Sequence, residues 1–162
     1  GSAVASKKEV ICVTGDGSIM MNLQELQTIK HYNLPVKVVI FSNDGYNAFR
    51  QTCKNFFNGF NVGCDAESGV SFPSFEKVAD TFGYGYKCCH SNGELDECLD
   101  WLFSQEGQVI LEVEQRLDDP ITPKVMSRIN DKGEFVTPSI EDMYPFIDEE
   151  EYKSLMIGDI NG

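Results

Sequence analysis

The amino-acid sequence predicts an α/β fold: a three-layer, doubly wound, mainly parallel sheet followed by an irregular C-terminal arm. Three observations lead there. Four short β-branched or apolar runs, at residues 10–14, 36–41, 84–89 and 109–113, read as strands. Stretches of helical spacing separate them, and strands alternating with helices imply right-handed crossovers and helices on the sheet faces. Beyond Val113 the periodicity stops.

The first, second and fourth runs are nearly continuous in apolar residues, the pattern of strands buried on both faces. Asn22 with Glu25 has capping-box spacing and predicts a helix through about Tyr32, closed before Pro35, with Leu23, Leu26 and Ile29 on one face. Ser74 is placed to cap a second helix, in which Phe75, Val78, Ala79 and Phe82 follow helical spacing before Gly83 ends it. Ser91 with Glu94 repeats the capping-box signature ahead of Leu95, Leu99 and Leu102. Residues 54–73, rich in Gly, Asn and Phe, read as a long ordered loop, and such loops are often functional. Phe56, Phe57, Phe60 and Phe72 are expected to seat that loop or to form a subunit contact. Pro120, Pro123, Pro138 and Pro145 then punctuate what should be an extended surface arm. The expected division is an α/β domain over 1–116 and an arm over 117–162 that packs on it.

At 162 residues the chain has the length of one domain, and 41% hydrophobic content can fill a core. No run approaches the roughly 18 apolar residues of a membrane span, and no charged start precedes an apolar stretch, so a soluble, unsecreted, cytoplasmic protein is expected. Cys12 lies within an apolar run, where cysteine behaves as a small hydrophobe, and a reducing compartment is expected for all six cysteines. Cys88 and Cys89 are adjacent rather than spaced for zinc, and His31 and His90 complete no ligand pattern, so no Cys/His metal site is expected. A net charge of −13 with no basic cluster opposes nucleic-acid binding. The acidic run of Glu141, Asp142 and 148–151 reads as a solvated surface.

In an open α/β sheet, ligands bind beyond the carboxyl ends of the strands. The first strand leaves through Gly15-Asp16-Gly17-Ser18, where glycines permit a sharp turn with N–H groups against phosphate oxygens and a carboxylate is free to hold a hard cation. The second leaves through Asn43-Asp44-Gly45-Tyr46. Neighbouring strands would bring Asn43 close to Asp16. One carboxylate, one amide oxygen and one main-chain carbonyl, completed by phosphates and water, would satisfy Mg²⁺. Glycine at 45 is expected because an inward-turned carbonyl in a tight loop leaves little backbone choice.

Gly15-Asp16-Gly17-Ser18 with Asn43-Asp44-Gly45 27 positions on, from 16 to 43, resembles the signature of thiamine-diphosphate enzymes, with Ser42 in place of the first residue of the usual Asn pair. The chain is similar to the acetolactate-synthase branch through Gln24-Glu25-Leu26, Asn33-Leu34-Pro35-Val36-Lys37, Arg50-Gln51, Ser71-Phe72-Pro73 and the tail Glu141-Asp142-Met143-Tyr144-Pro145-Phe146, whereas Asn43-Asp44-Gly45-Tyr46 itself resembles pyruvate decarboxylases. The resemblance implies the thiamine-diphosphate-binding fold, with thiamine diphosphate and Mg²⁺ as cofactors. It implies Asp16, Asn43 and the Gly45 carbonyl as metal ligands, Gly15, Gly17 and Ser18 at the diphosphate, and Tyr46, Asn47 and Ala48 along its remaining side. Arg50 is a further candidate, toward the substrate.

The activity so implied is decarboxylation of a 2-keto acid and ligation of the product to an acceptor, by a homodimer or homotetramer. In the family a glutamate from a separate pyrimidine-binding domain activates the cofactor, so no catalytic side chain is expected within these residues. With fourteen residues ahead of Gly15, the chain is expected to be an N-terminally truncated piece, inactive alone. Two other readings are a domain of another thiamine-diphosphate decarboxylase or lyase, and a non-catalytic regulatory or oligomerisation module that keeps the fold.

Overall fold

A computed structural model describes residues 1–116, 122–130 and 132–156. The chain divides into two compact units, Gly1–Asp119 and Pro120–Gly162. In the first, strands β1 (Val10–Gly15), β2 (Val36–Ser42), β3 (Gly85–Cys89) and β4 (Val109–Glu114) form one wholly parallel sheet in the order β1-β2-β4-β3. Helices α1 (Ser2–Ser6), α2 (Asp16–Ile19), α3 (Glu25–His31), α4 (Asn47–Phe56), α5 (Phe75–Phe82) and α6 (Leu95–Ser104) connect or precede the strands, the last through a short 3₁₀ turn at Asn92–Glu94.

Strand order decides which helices share a face. The chain moves one way across the sheet from β1 to β2 to β3, then steps back from β3 to β4. Right-handed crossovers place helices of forward steps on one face and the helix of the return step on the other. The cores follow this rule. Leu26 of α3 and Phe75, Val78 and Ala79 of α5 bury against Val38, Ile40 and Ile110. Cys98 and Leu102 of α6 bury against Val39, Val109 and Leu111 on the opposite face. The three-layer, doubly wound expectation therefore holds for the first unit.

β2 is buried along most of its length, as its apolar run predicts, but β1 is not. Among the described residues β1 pairs only with β2. Its outer edge and part of its face thus stay open: Val13 is 61% exposed, and Cys12 is exposed rather than a core hydrophobe. All six cysteines are free.

The caps divide. The Ser74 hydroxyl accepts the Lys77 N–H at 3.3 Å and Gly83 closes α5 at φ 70°. Asn22 makes no capping box. The chain enters α3 through i→i+3 bonds instead, from Glu25 N–H to the Asn22 carbonyl and from Leu26 N–H to that of Leu23, which occupy the first turn without a side chain. At 91–94 neither bond of the box forms: Glu94 reaches back past Ser91 to the N–H of His90 at 3.0 Å, while Ser91 donates its hydroxyl to Glu94 at 3.2 Å. The predicted loop from Lys54 begins later, because α4 runs through Phe56. Phe56, Phe57 and Phe60 are exposed, and Phe72 alone of the four aromatics packs on the core.

The second unit is more ordered than a featureless arm. Strands β5 (Arg128–Ile129) and β6 (Phe135–Val136) pair antiparallel, and α7 (Glu149–Leu155) is capped by the Asp148 carboxylate on the Glu150 N–H at 2.8 Å. Of the acidic run, Asp142 is buried and pairs with Arg128 at 3.2 Å. Glu149, Glu150 and Glu151 occupy the first turn of α7, where negative charge favours a helix. Pro120, one of the four prolines marking the arm, lies outside the described residues.

Ser74→Ala should lower stability by about 1 kcal/mol, whereas Asn22→Ala should stay within about 0.5 kcal/mol, both read as shifts in the urea unfolding midpoint.

Candidate functional site

β1 and β2 run in register, Val10 beside Val36 through Gly15 beside Phe41, so both strands release their exit turns at the same edge. The turns meet at Asp16. Its carboxylate is 3% exposed and accepts three N–H groups: Gly17 at 2.7 Å on Oδ1, and Asn43 at 2.9 Å and Gly45 at 3.3 Å on Oδ2. A buried carboxylate is costly without such partners. A carboxylate offers about four lone-pair sites, so three N–H bonds leave room for one further partner.

The glycines serve close approach rather than backbone freedom, since neither Gly17 nor Gly45 has a positive φ. A Cβ on Gly17 would lie 2.4 Å from the Tyr46 ring, and one on Gly45 would lie 2.2 Å from the Cys64 carbonyl oxygen. The left-handed residue of the second turn is Asp44, at φ 57°. The expectation that a turned-in backbone requires glycine at 45 is therefore replaced by a steric requirement.

The long loop braces this second turn. Tyr46 N–H donates to the Cys64 carbonyl at 2.8 Å, within an antiparallel bridge between Gly45 and Asp65. Asp65 in turn accepts the Ser68 hydroxyl at 2.6 Å and N–H at 2.9 Å, and Asn61 at 2.9 Å. These bonds, the Ser68 hydroxyl foremost, hold the Asp65 carboxyl below its ordinary value. Tyr46 also meets Phe72 edge to face at 6.0 Å. The composition of 54–73 marked the loop, but its pairing with Gly45 carries no local sequence signal.

Arg50 lies against the second turn. Its Nη2 donates to the Asn43 carbonyl at 3.0 Å and to Asn43 Oδ1 at 3.1 Å, and its Nε is buried with no hydrogen-bond partner among the described residues. Gly45 leaves the space this guanidinium fills, since a Cβ there would lie 2.8 Å from Nη1. A cavity of about 510 Å³ opens beside it, lined by Asp44, Asn47, Arg50, Gln51, Lys54 and Asp65 among others. The structure thus brings Gly15, Asp16, Gly17, Asn43, Gly45 and Tyr46 together at one edge. Ser18 and Ala48 lie exposed at the starts of α2 and α4, with Asn47 half-buried beside Ala48.

The fold and these paired turns define the class, a parallel α/β domain with its candidate site at the carboxyl edge of the first two strands. The chain belongs to the family described as thiamine pyrophosphate enzyme, C-terminal TPP binding domain, which matches residues 1–113. Its curated relatives include acetolactate synthase of Arthrospira platensis, 34% identical over 72% of this chain and 20% of that protein. The isozyme 2 large subunit of acetolactate synthase from Escherichia coli is 32% identical over 70% of this chain and 20% of its own length. The chain thus spans about a fifth of the relatives it matches. Among solved structures, the thiamine diphosphate-dependent 4-hydroxybenzoylformate decarboxylase of Rhodococcus jostii RHA1 shares the fold with a TM-score of 0.63, at 23% identity over 74% of this chain and 22% of that one. The resemblance read from the two motifs and the predicted fold are both borne out.

Gly45→Ala should cost about 1–3 kcal/mol of stability by overpacking, since the atom it meets is backbone. Gly93→Ala, with only ordinary contact to Ser91, should stay within about 0.5 kcal/mol in the same urea titration.

Proposed function

We propose that this chain is the Mg²⁺- and diphosphate-holding domain of an acetolactate-synthase-like enzyme acting on a 2-keto acid. The observation that carries the proposal is the convergence of Asn43 and Gly45 on the buried carboxylate of Asp16. The residues fit the cation. Asp16 keeps lone-pair capacity, and Asn43 supplies amide and carbonyl oxygens that already attract a positive group, the Arg50 guanidinium. Such hard oxygen donors suit Mg²⁺ better than a softer metal. Asp16, Asn43 Oδ1 and the Gly45 carbonyl would hold the ion.

Thiamine diphosphate, when bound, supplies the electron sink for loss of carbon dioxide from a 2-keto acid. The chain's own residues bind and orient. Gly15, Gly17 and Ser18 present backbone and hydroxyl donors on one side of the diphosphate. Tyr46, Asn47 and Ala48 form the other side, at the start of the ten-residue helix α4, whose dipole favours an anion. Arg50 holds Asn43 by donating to its main-chain carbonyl and, until an ion takes it, to Oδ1. Tyr46, pressed against Gly17 and Phe72, sets the spacing between the two turns.

The identity to acetolactate synthases favours carboligation over simple decarboxylation, and a homodimer or homotetramer is proposed with it. Free cysteines throughout fit a reducing, cytoplasmic setting. Among the described residues no helix is long and apolar enough to cross a membrane.

Calorimetric titration with thiamine diphosphate tests the reading. Heat of binding should require Mg²⁺, and Asp16→Ala should weaken binding roughly tenfold or more, about 1.4 kcal/mol. Mg²⁺-independent binding, or undiminished binding in the variant, would refute it.

A further inference from the structure

A second cluster of ligating side chains lies across the sheet from Asp16, where β3 and β4 end. The register pairs Cys88 with Glu112 and Cys89 with Val113, so one further step sets His90 beside Glu114. Because side chains alternate along a strand, Cys88 and His90 share a face with Glu112 and Glu114. His90 Nδ1 lies 2.9 Å from Glu114 Oε2 and 3.7 Å from Cys88 Sγ, and the three ligand atoms all fall within 4.8 Å of one another.

Groups behind them hold the cluster in place. Glu94 accepts the His90 N–H at 3.0 Å and is itself held by the Ser91 hydroxyl. The Tyr86 hydroxyl donates to Glu112 at 2.5 Å, fixing the next carboxylate along the stripe. These contacts fix the backbone at His90 and the neighbouring carboxylate. Three carboxylates, Glu94, Glu112 and Glu114, surround the thiol and imidazole and favour a cation.

We propose that Cys88, His90 and Glu114 form a binding site for a zinc-class divalent cation, separate from the Asp16 site. Thiolate, imidazole and carboxylate together are the donors of Zn²⁺ and its neighbours, while Mg²⁺ avoids sulfur. With metal–ligand bonds of about 2.0–2.3 Å, tetrahedral ligand atoms lie roughly 3.3–3.8 Å apart. The Cys88–His90 separation already matches. The His90–Glu114 pair must open by a few tenths of an ångström, which two half-exposed side chains allow. On binding, the Cys88 thiol proton and any proton on His90 Nδ1 pass to solvent, and the fourth position is left to water. The buried pair Cys89 and Cys98 with Glu94 forms a neighbouring group but sits within the α6 core.

Titration of the purified chain with Co²⁺, the spectroscopic substitute for Zn²⁺, tests the site. One equivalent should produce a thiolate-to-cobalt charge-transfer band in the near ultraviolet with strong visible bands, both displaced by Zn²⁺. Cys88→Ser and His90→Ala, each checked for folding by circular dichroism, should abolish the charge-transfer band. Glu114→Gln should weaken binding roughly tenfold, and Cys98→Ala should leave the band intact. Absence of the band in the unaltered chain, or its persistence in Cys88→Ser, would overturn the assignment.

Discussion

The rest of the structure depends on the burial of one carboxylate. Asp16 leaves β1 at 3% exposure, in a position where a charge without partners would cost several kcal/mol. What satisfies it is mostly not local: two of its three N–H donors come from residues 43 and 45, at the end of β2. Parallel pairing of β1 with β2 makes that possible, since Gly15 and Phe41 end the ladder side by side. The fold and the candidate cation site therefore share the same bonds, and a change that separates the turns loosens both.

Around that carboxylate, size exclusion matters more than backbone freedom. Gly17 admits the Tyr46 ring and Gly45 admits both the Cys64 carbonyl and the Arg50 guanidinium. The loop ahead of α5 contributes by pinning Tyr46 through Cys64, with Asp65 and Ser68 closing the loop on itself. Arg50 then supplies positive charge at oxygens that a metal would otherwise neutralise. Its buried Nε, without a partner among the described residues, marks a side chain held for its position rather than for complete satisfaction.

Much of this was legible in the sequence, because it rests on local signals. Four apolar runs marked the four strands to within a residue or so, and Ser74 and Gly83 bounded α5. Gly-Asp-Gly and Asn-Asp-Gly identified both turns, and the crossover rule made them neighbours. The failures came from partners distant in sequence. The apolar run of β1 resembles that of β2, yet among the described residues β1 pairs on one side and β2 on both, which only sheet order decides. Asn22 has the spacing of a cap, but backbone bonds took its place. The Gly45–Asp65 bridge and the gathering of Cys88, His90 and Glu114 depend on loop path and strand register, neither of which spacing reveals. In the arm, prolines suggested irregularity and masked a short hairpin and a capped helix.

The account stands on two turns converging on one divalent ion. Diffraction from crystals soaked with Mn²⁺ and thiamine diphosphate, recorded for the manganese anomalous signal, tests this directly. The account predicts a strong peak in bonding contact with an Asp16 carboxylate oxygen, Asn43 Oδ1 and the Gly45 carbonyl, with the Arg50 guanidinium moved off Oδ1. No peak between the two turns, with Arg50 keeping its hold on Asn43, would contradict it.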